Sequence, residues 1–208
     1  MTGPTVNALH RALHLVYVAD LEAAQDRDRL HALVRGGVTA IWLREPSATG
    51  ADLYDAACSL RASTRDQGVA LVIGDRMDVA LAVGADGIQL GHRAPPISRL
   101  RTHYPGWIGV SCHSADDLAR AAASGADHVV LRPVFDVPGK GAPQGVPGFE
   151  RLGRSARLPE VALGGIGADS ADAVRNAGAV GVAALRALAR APDPEAAARA
   201  LSGDGRSG

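Results

Sequence analysis

Eight short runs rich in Val, Ile, Leu and Ala alternate with longer Ala/Leu/Arg segments of helical spacing, and this alternation constrains the chain most. The runs are Leu13–Ala19, Ala40–Leu43, Val69–Ile73, Gly87–Leu90, Trp107–Cys112, His128–Leu131, Glu160–Leu163 and Ala179–Ala183. Helical segments between them include Leu21–Arg35, Ala51–Asp66, Asp75–Val83, Ala115–Ser124 and Ala168–Ala177. Strands alternating with helices make βαβ units, hence a parallel sheet. The runs are continuously apolar, which suits strands covered on both faces. Gly36-Gly37-Val38, Gly84-Ala85-Asp86, Gly125-Ala126-Asp127 and Gly178-Ala179-Val180 recur before strands. Glycine past a helix end takes the left-handed cap and lets the chain turn into the next strand. An open doubly wound sheet needs only about five or six strands. Eight units in 208 residues, about 26 apiece, instead predict an α/β chain folded as a (β/α)8 (TIM) barrel. A single domain is expected over residues 1–201, with 202–208 as a disordered tail.

Apolar residues make up 47 % of the chain, but 40 are alanine and only two Phe, three Tyr and two Trp occur, so the core must be aliphatic. The 22 basic residues balance 22 acidic ones. With no basic excess to neutralise a phosphate backbone, a nucleic-acid partner is disfavoured. No apolar run approaches the ~20 residues of a membrane span, and Met1–Asn7 has no leader pattern. Cys58 and Cys112 fit neither a disulfide framework nor a metal cluster. A cytoplasmic protein is expected, with no membrane partner and a homo-oligomer left open. Of the 22 basic residues 21 are arginine; Lys140 is the one lysine.

In a barrel of this kind, chemistry sits in the loops that follow the strands. After the second strand, period two puts Trp42 and Arg44 on one face, and Arg44 reaches the mouth. Its planar fork suits a carboxylate or phosphate, although an ion pair at the rim with a Glu serves the same spacing. After the third strand, Asp75 stands where it can cap the next helix or hold magnesium, the position favouring the cap. The following loop, Gly91-His92-Arg93-Ala94, offers no second carboxylate. Ser111 and His113 share a face of the fifth strand while Cys112 takes the other. On the barrel's inner face, His113 could work as acid and base near neutral pH, or its ring could bind the next helix or a carbonyl. The other histidines show no metal-ligand spacing. The long Pro133–Gly148 loop carries Lys140, a cation for a substrate phosphate or an ordinary solvated side chain. After the seventh and eighth strands come Gly164-Gly165-Ile166-Gly167 and Ala184-Leu185-Arg186, where this fold commonly binds phosphate on backbone N–H groups.

Leu43-Arg44-Glu45, Gly74-Asp75-Arg76-Met77-Asp78, Gly87-Ile88-Gln89-Leu90-Gly91, Gly109-Val110-Ser111-Cys112-His113-Ser114, Pro133-Val134-Phe135 and Leu163-Gly164-Gly165-Ile166 occur in order over about residues 13–190. Together they resemble the thiamine phosphate synthase/TenI superfamily. Within it, synthases join a pyrimidine diphosphate to a thiazole phosphate with magnesium. Their Lys after Arg-Glu is Pro46 here, their second metal carboxylate is Ala94, and their Thr-Pro-Thr-Lys is Val137-Pro138-Gly139-Lys140. The TenI branch, thiazole tautomerases, is the better match. It implies a cofactor-independent isomerase in which His113 moves a proton to aromatise a carboxylated dihydrothiazole phosphate. Ser111, Lys140, Gly165, Leu185 and Arg186 would then hold the substrate and its phosphate, and Arg44 its carboxylate. Arg132 replaces a small residue and Arg186 a serine, so either crowds the pocket or adds a phosphate contact. The alternatives are a magnesium-dependent synthase and a non-catalytic, phosphate-ligand-binding regulatory homologue.

Overall fold

The apolar runs form eight strands: β1 Leu15–Ala19, β2 Ala40–Leu43, β3 Ala70–Gly74, β4 Gly87–Leu90, β5 Trp107–Cys112, β6 His128–Leu131, β7 Glu160–Leu163 and β8 Gly181–Ala184. The structure is a computed structural model that describes residues 6–91 and 94–203. Every strand runs parallel to its neighbours, and β8 pairs back onto β1 through Leu15–Val182, Val16–Ala183 and Tyr17–Ala184, closing the barrel. Around it lie α1 Val6–Leu13, α2 Arg27–Arg35, α3 Gly50–Arg65, α4 Met77–Val83, α5 Ile97–Leu100, α6 Ala115–Ser124, α7 Gly145–Gly153, α8 Ala168–Asn176, α9 Arg186–Ala189 and α10 Pro194–Ser202.

Side-chain alternation divides the core into two layers. Leu15, Tyr17, Ile41, Leu43, Leu71, Ile73, Ile108, Cys112 and Leu131 face outward and pack beneath the helices. Val16, Val18, Trp42, Val72, Trp107, Val130, Val161 and Ala183 fill the interior, so the barrel is a packed core rather than a pore. Leu9, Ala12 and Leu13 of α1 join that inner layer. The helix thus closes the end where the strands begin, leaving the opposite end for ligands.

The structure shifts three sequence expectations. Leu13 is the last residue of α1 rather than the first of a strand. The helix expected over Leu21–Arg35 is interrupted: Ala23–Gln25 is a short 3-10 turn, and α2 begins afresh at Arg27. Two carboxylates impose this break, Asp20 accepting from the Ala23 N–H at 2.9 Å and Asp26 from the Arg29 N–H at 3.0 Å. Short side-chain acceptors of this kind compete with the helix for backbone donors. Ser202, placed in a disordered tail, is instead the buried last residue of α10. Its carbonyl accepts from His14 Nε2 at 2.9 Å and its hydroxyl donates to the Arg199 carbonyl at 2.9 Å. Residues 204–208 of that tail, and His92 and Arg93 of the loop after β4, lie outside the described residues.

Glu160 opens β7 on the helix side and is only 6 % exposed, with Oε2 unpartnered among the described residues. Gly153 of α7 leaves it room, since a Cβ there would stand 2.7 Å from Oε2. Burial pushes the carboxyl up from 4.5 to about 7. The folded chain keeps a proton that the unfolded chain releases, so this group makes stability fall as pH rises from about 4.5 to about 7. Glu160→Gln is therefore expected to raise unfolding free energy by roughly 1–3 kcal/mol at pH 8 and hardly at all at pH 4. Urea titrations at the two pH values check this; an equal gain at both would indicate packing rather than titration.

Candidate functional site

At the open end the loops surround a cavity of about 270 Å3. The inner register delivers its walls. Trp42 lies on the inner face of β2, and Arg44, two residues on, reaches the rim. Its backbone N–H is held by the Ala19 carbonyl at 2.8 Å. Gly74 gives both room, because a Cβ there would meet Trp42 Nε1 at 3.1 Å and Arg44 Cγ at 3.5 Å. On β6 the same face carries His128 and Val130, then Arg132, whose N–H donates to the Cys112 carbonyl at 3.2 Å. The Arg132–Pro133 peptide is cis.

Beside it, past the neighbouring strand β7, Gly164 and Gly165 turn with φ of 107° and 67°, a backbone region that side chains disfavour. A Cβ on Gly165 would also stand 2.7 Å from Phe135 Cβ, so the turn can nest against the loop after β6 only as glycine. Leu185 and Arg186 complete this side, and exposed Lys140 reaches the cavity from the loop, its N–H bonded to the Val137 carbonyl at 3.0 Å. His113 lines the rim just past β5. Asp117 of α6 accepts from the His113 backbone N–H at 2.8 Å and stands 3.7 Å from its Nδ1, while Gln144 Nε2 donates to the His113 carbonyl at 3.1 Å. Burial raises the Asp117 pKa, but hydrogen bonds from the His113 N–H and Ser114 hydroxyl, with the Arg120 charge, outweigh it and hold the carboxyl below its ordinary value.

The structure therefore brings Trp42, Arg44, His113, Arg132, Lys140, Gly165, Leu185 and Arg186 to one cavity. Val18, Leu163, Ile166 and Ala183 supply apolar wall, and no Asp or Glu lines it among the described residues. Four cationic side chains around an apolar floor suit an anionic ligand with an apolar part. Burial pushes the Arg132 pKa down, the nearby Arg44 charge pushes the same way, and the Asp75 carboxylate pulls against both. Arginine stays charged under such shifts.

Two expected residues stand elsewhere. Ser111 is buried below the cavity, where Gln89 Nε2 donates to its hydroxyl at 3.4 Å. Gln89 Oε1 in turn accepts from His128 Nε2 at 3.1 Å, which places the His128 proton on Nε2. Burial lowers the His128 pKa to about 4, so the ring is neutral and the trio is a structural link through the barrel. Asp75 neither caps α4 nor lines the cavity. The residue before α4 is Arg76, which makes no side-chain cap, and Asp75 sits at φ 59° with Oδ1 accepting from the Gly91 N–H at 2.6 Å. It ties the end of β3 to the end of β4. Cys112 points to the helices, and burial drives its thiol up to about 12, excluding thiolate chemistry beside His113.

The polar link was missed from sequence, although Gly109 signals it: alternation places Gln89, Gly109 and Ser111 on inner faces where bulky apolar residues are usual. A Cβ on Gly109 would stand 2.2 Å from both Gln89 Oε1 and His128 Nε2. Gly109→Ala is expected to destabilise the fold by about 2–3 kcal/mol, because overpacking and a broken buried hydrogen bond coincide. Chemical denaturation measures the loss.

The residues present do not fit a magnesium site of the kind the resemblance implies. Asp75 already spends Oδ1 on a backbone N–H, Ala94 supplies no oxygen side chain, and two guanidinium groups stand nearby. No cluster of three or more His, Cys, Asp or Glu is arranged for a metal among the described residues. Magnesium needs several oxygen ligands. No helix among those residues is long and apolar enough to cross a membrane.

Residues 13–188 match the family model described as "Thiamine monophosphate synthase" (TMP-TENI). The chain is 39 % identical over 196 residues to a thiamine-phosphate synthase of Roseiflexus sp. (strain RS-1), covering 90 % of this chain and 83 % of that one. It is 36 % identical over 200 residues to a thiamine-phosphate synthase of Archaeoglobus fulgidus, covering 94 % and 95 %. A solved structure of thiamine phosphate pyrophosphorylase from Pyrococcus furiosus superposes with a TM-score of 0.85 at 32 % identity, covering 93 % and 95 %.

Proposed function

Because this chain belongs to the thiamine monophosphate synthase (TMP-TENI) family, we propose that it is a transferase that joins a pyrimidine diphosphate to a thiazole phosphate. Relatives named thiamine-phosphate synthase support a transferase over the isomerase that the sequence motifs favoured. The observation that carries the reading is the carboxylate-free cavity with cations at opposite sides of an apolar floor. Lys140, Gly165, Leu185 and Arg186 form the side suited to the thiazole's phosphate. Arg44, past β2, and Arg132, past β6, stand on opposite walls of the mouth with their charges acting on one another, and together suit a diphosphate held between them. As the new carbon–nitrogen bond forms at the thiazole ring, the carbon–oxygen bond to the diphosphate breaks and inorganic pyrophosphate leaves. Fixed guanidinium groups stabilise the charge that develops on that leaving group, and Trp42, Leu163 and Ile166 exclude water from the ring faces.

A second reading, the thiazole tautomerase, is favoured by one arrangement: His113 at the cavity rim, oriented by Asp117, beside a site that lacks the expected metal carboxylate. The purified protein is expected to convert hydroxymethylpyrimidine diphosphate and thiazole phosphate, with magnesium supplied, into thiamine phosphate and pyrophosphate. Lys140→Gln should raise KM for the thiazole phosphate about ten-fold, the scale of one charge-assisted hydrogen bond. No thiamine phosphate, with aromatisation of the carboxylated dihydrothiazole phosphate that His113→Gln abolishes, would instead establish the tautomerase. Binding of thiazole phosphate with neither turnover would leave a non-catalytic binding protein.

A further inference from the structure

The mouth holds a charge pattern the rest of the fold does not explain. Arg44 and Arg132 both line the cavity and no carboxylate shares that lining. Arg132 sits on the inner face one step beyond β6, and its Nε is buried without a partner among the described residues. Trp42 Nε1, in the opposite wall on β2, is a second buried donor without one among the described residues. Buried donors left unpaired are costly, and two like charges facing a low-dielectric cavity add repulsion. Both are relieved by an acceptor-rich anion. Asp75, whose carboxylate acts on the Arg132 charge, has Oδ1 committed to Gly91 N–H, and the position that would give a metal its second carboxylate is Ala94. A divalent ion brings two positive charges to a diphosphate; two guanidinium groups bring the same charge with a fixed fork of donors.

We infer that Arg132 is a resident cation of this site: with Arg44 it binds the diphosphate end of the substrate and makes a divalent ion dispensable for that binding. Arg132 is thus a specificity-determining residue, and the inference rests on the transferase reading for the identity of the anion. The test is calorimetric titration of the whole chain with inorganic pyrophosphate, in EDTA and in magnesium, with orthophosphate as comparison. Wild-type affinity for pyrophosphate is expected to agree within about three-fold in the two buffers. Arg132→Gln should weaken pyrophosphate by about ten-fold or more and orthophosphate far less, since orthophosphate is served by the Lys140 side. Arg132→Lys, which keeps the charge without the fork, should recover part of the loss. Thermal melting confirms that each variant is folded, and the wild-type comparison of EDTA with magnesium stands even if one is not. Pyrophosphate binding that vanishes in EDTA, an Arg132→Gln variant that binds as wild type, or equal weakening of both anions would overturn the inference. Metal-free pyrophosphate binding through Arg132 without formation of thiamine phosphate would fault the reaction assigned above and leave this role standing.

Discussion

A parallel barrel closes only where its last strand can lie against its first, and in this chain that seam has room for glycine alone. The chain entering β1 passes so close to β8 that a side chain on Gly181 would stand 1.8 Å from the Leu13 carbonyl. With hydrogen in place of a methyl, Val182 can donate to the His14 carbonyl at 3.1 Å and the ring is complete. Closure then fixes the register of all eight strands together. A slip of one residue would turn Trp42 and Val130 toward the helices and Leu43 and Leu131 into the barrel, which the two packed layers forbid. The ligand site inherits its geometry from this constraint, because Arg44 and Arg132 reach the mouth only as continuations of inner faces.

Much of this was legible in the sequence for the same reason. Parallel strands buried on both faces write themselves as short, largely apolar runs, and β2, β4, β5, β6 and β7 have the bounds expected of them. Period two placed Arg44 and His113 at the mouth, and the double glycine marked the turn after β7. The failures have local causes. Asp75 reads as a cap, yet its φ of 59° turns the carboxylate across to Gly91, a conformation no spacing rule reveals. Ser111 shares its face with His113 but lies lower in the barrel, and depth along a strand is not encoded by alternation. Ser202 looked like tail because polar and small residues follow it; its contacts come from His14, far away in sequence.

Family membership and local chemistry pull in different directions at the mouth. The chain shares its family with proteins named thiamine-phosphate synthase, while Ala94 offers a metal no side-chain oxygen and Asp75 has one oxygen bonded to the Gly91 N–H. What remains around the cavity is positive charge carried by side chains. A guanidinium is a softer, more spread charge than a divalent ion, but it needs no loading and gives direction through its fork. The charge is spread around the mouth, from Arg44 past β2 and Arg132 past β6 to Arg186 past β8.

The solitary lysine gives this arrangement an asymmetry under covalent chemistry. Acyl donors that neutralise primary amines find in this sequence a single ε-ammonium, and it stands on the exposed loop at the mouth. Acylation there would remove one positive charge while the three guanidinium groups around it kept theirs. Of the four cationic side chains lining the cavity, only the one ending at Lys140 Nζ is a primary amine that such a donor can neutralise.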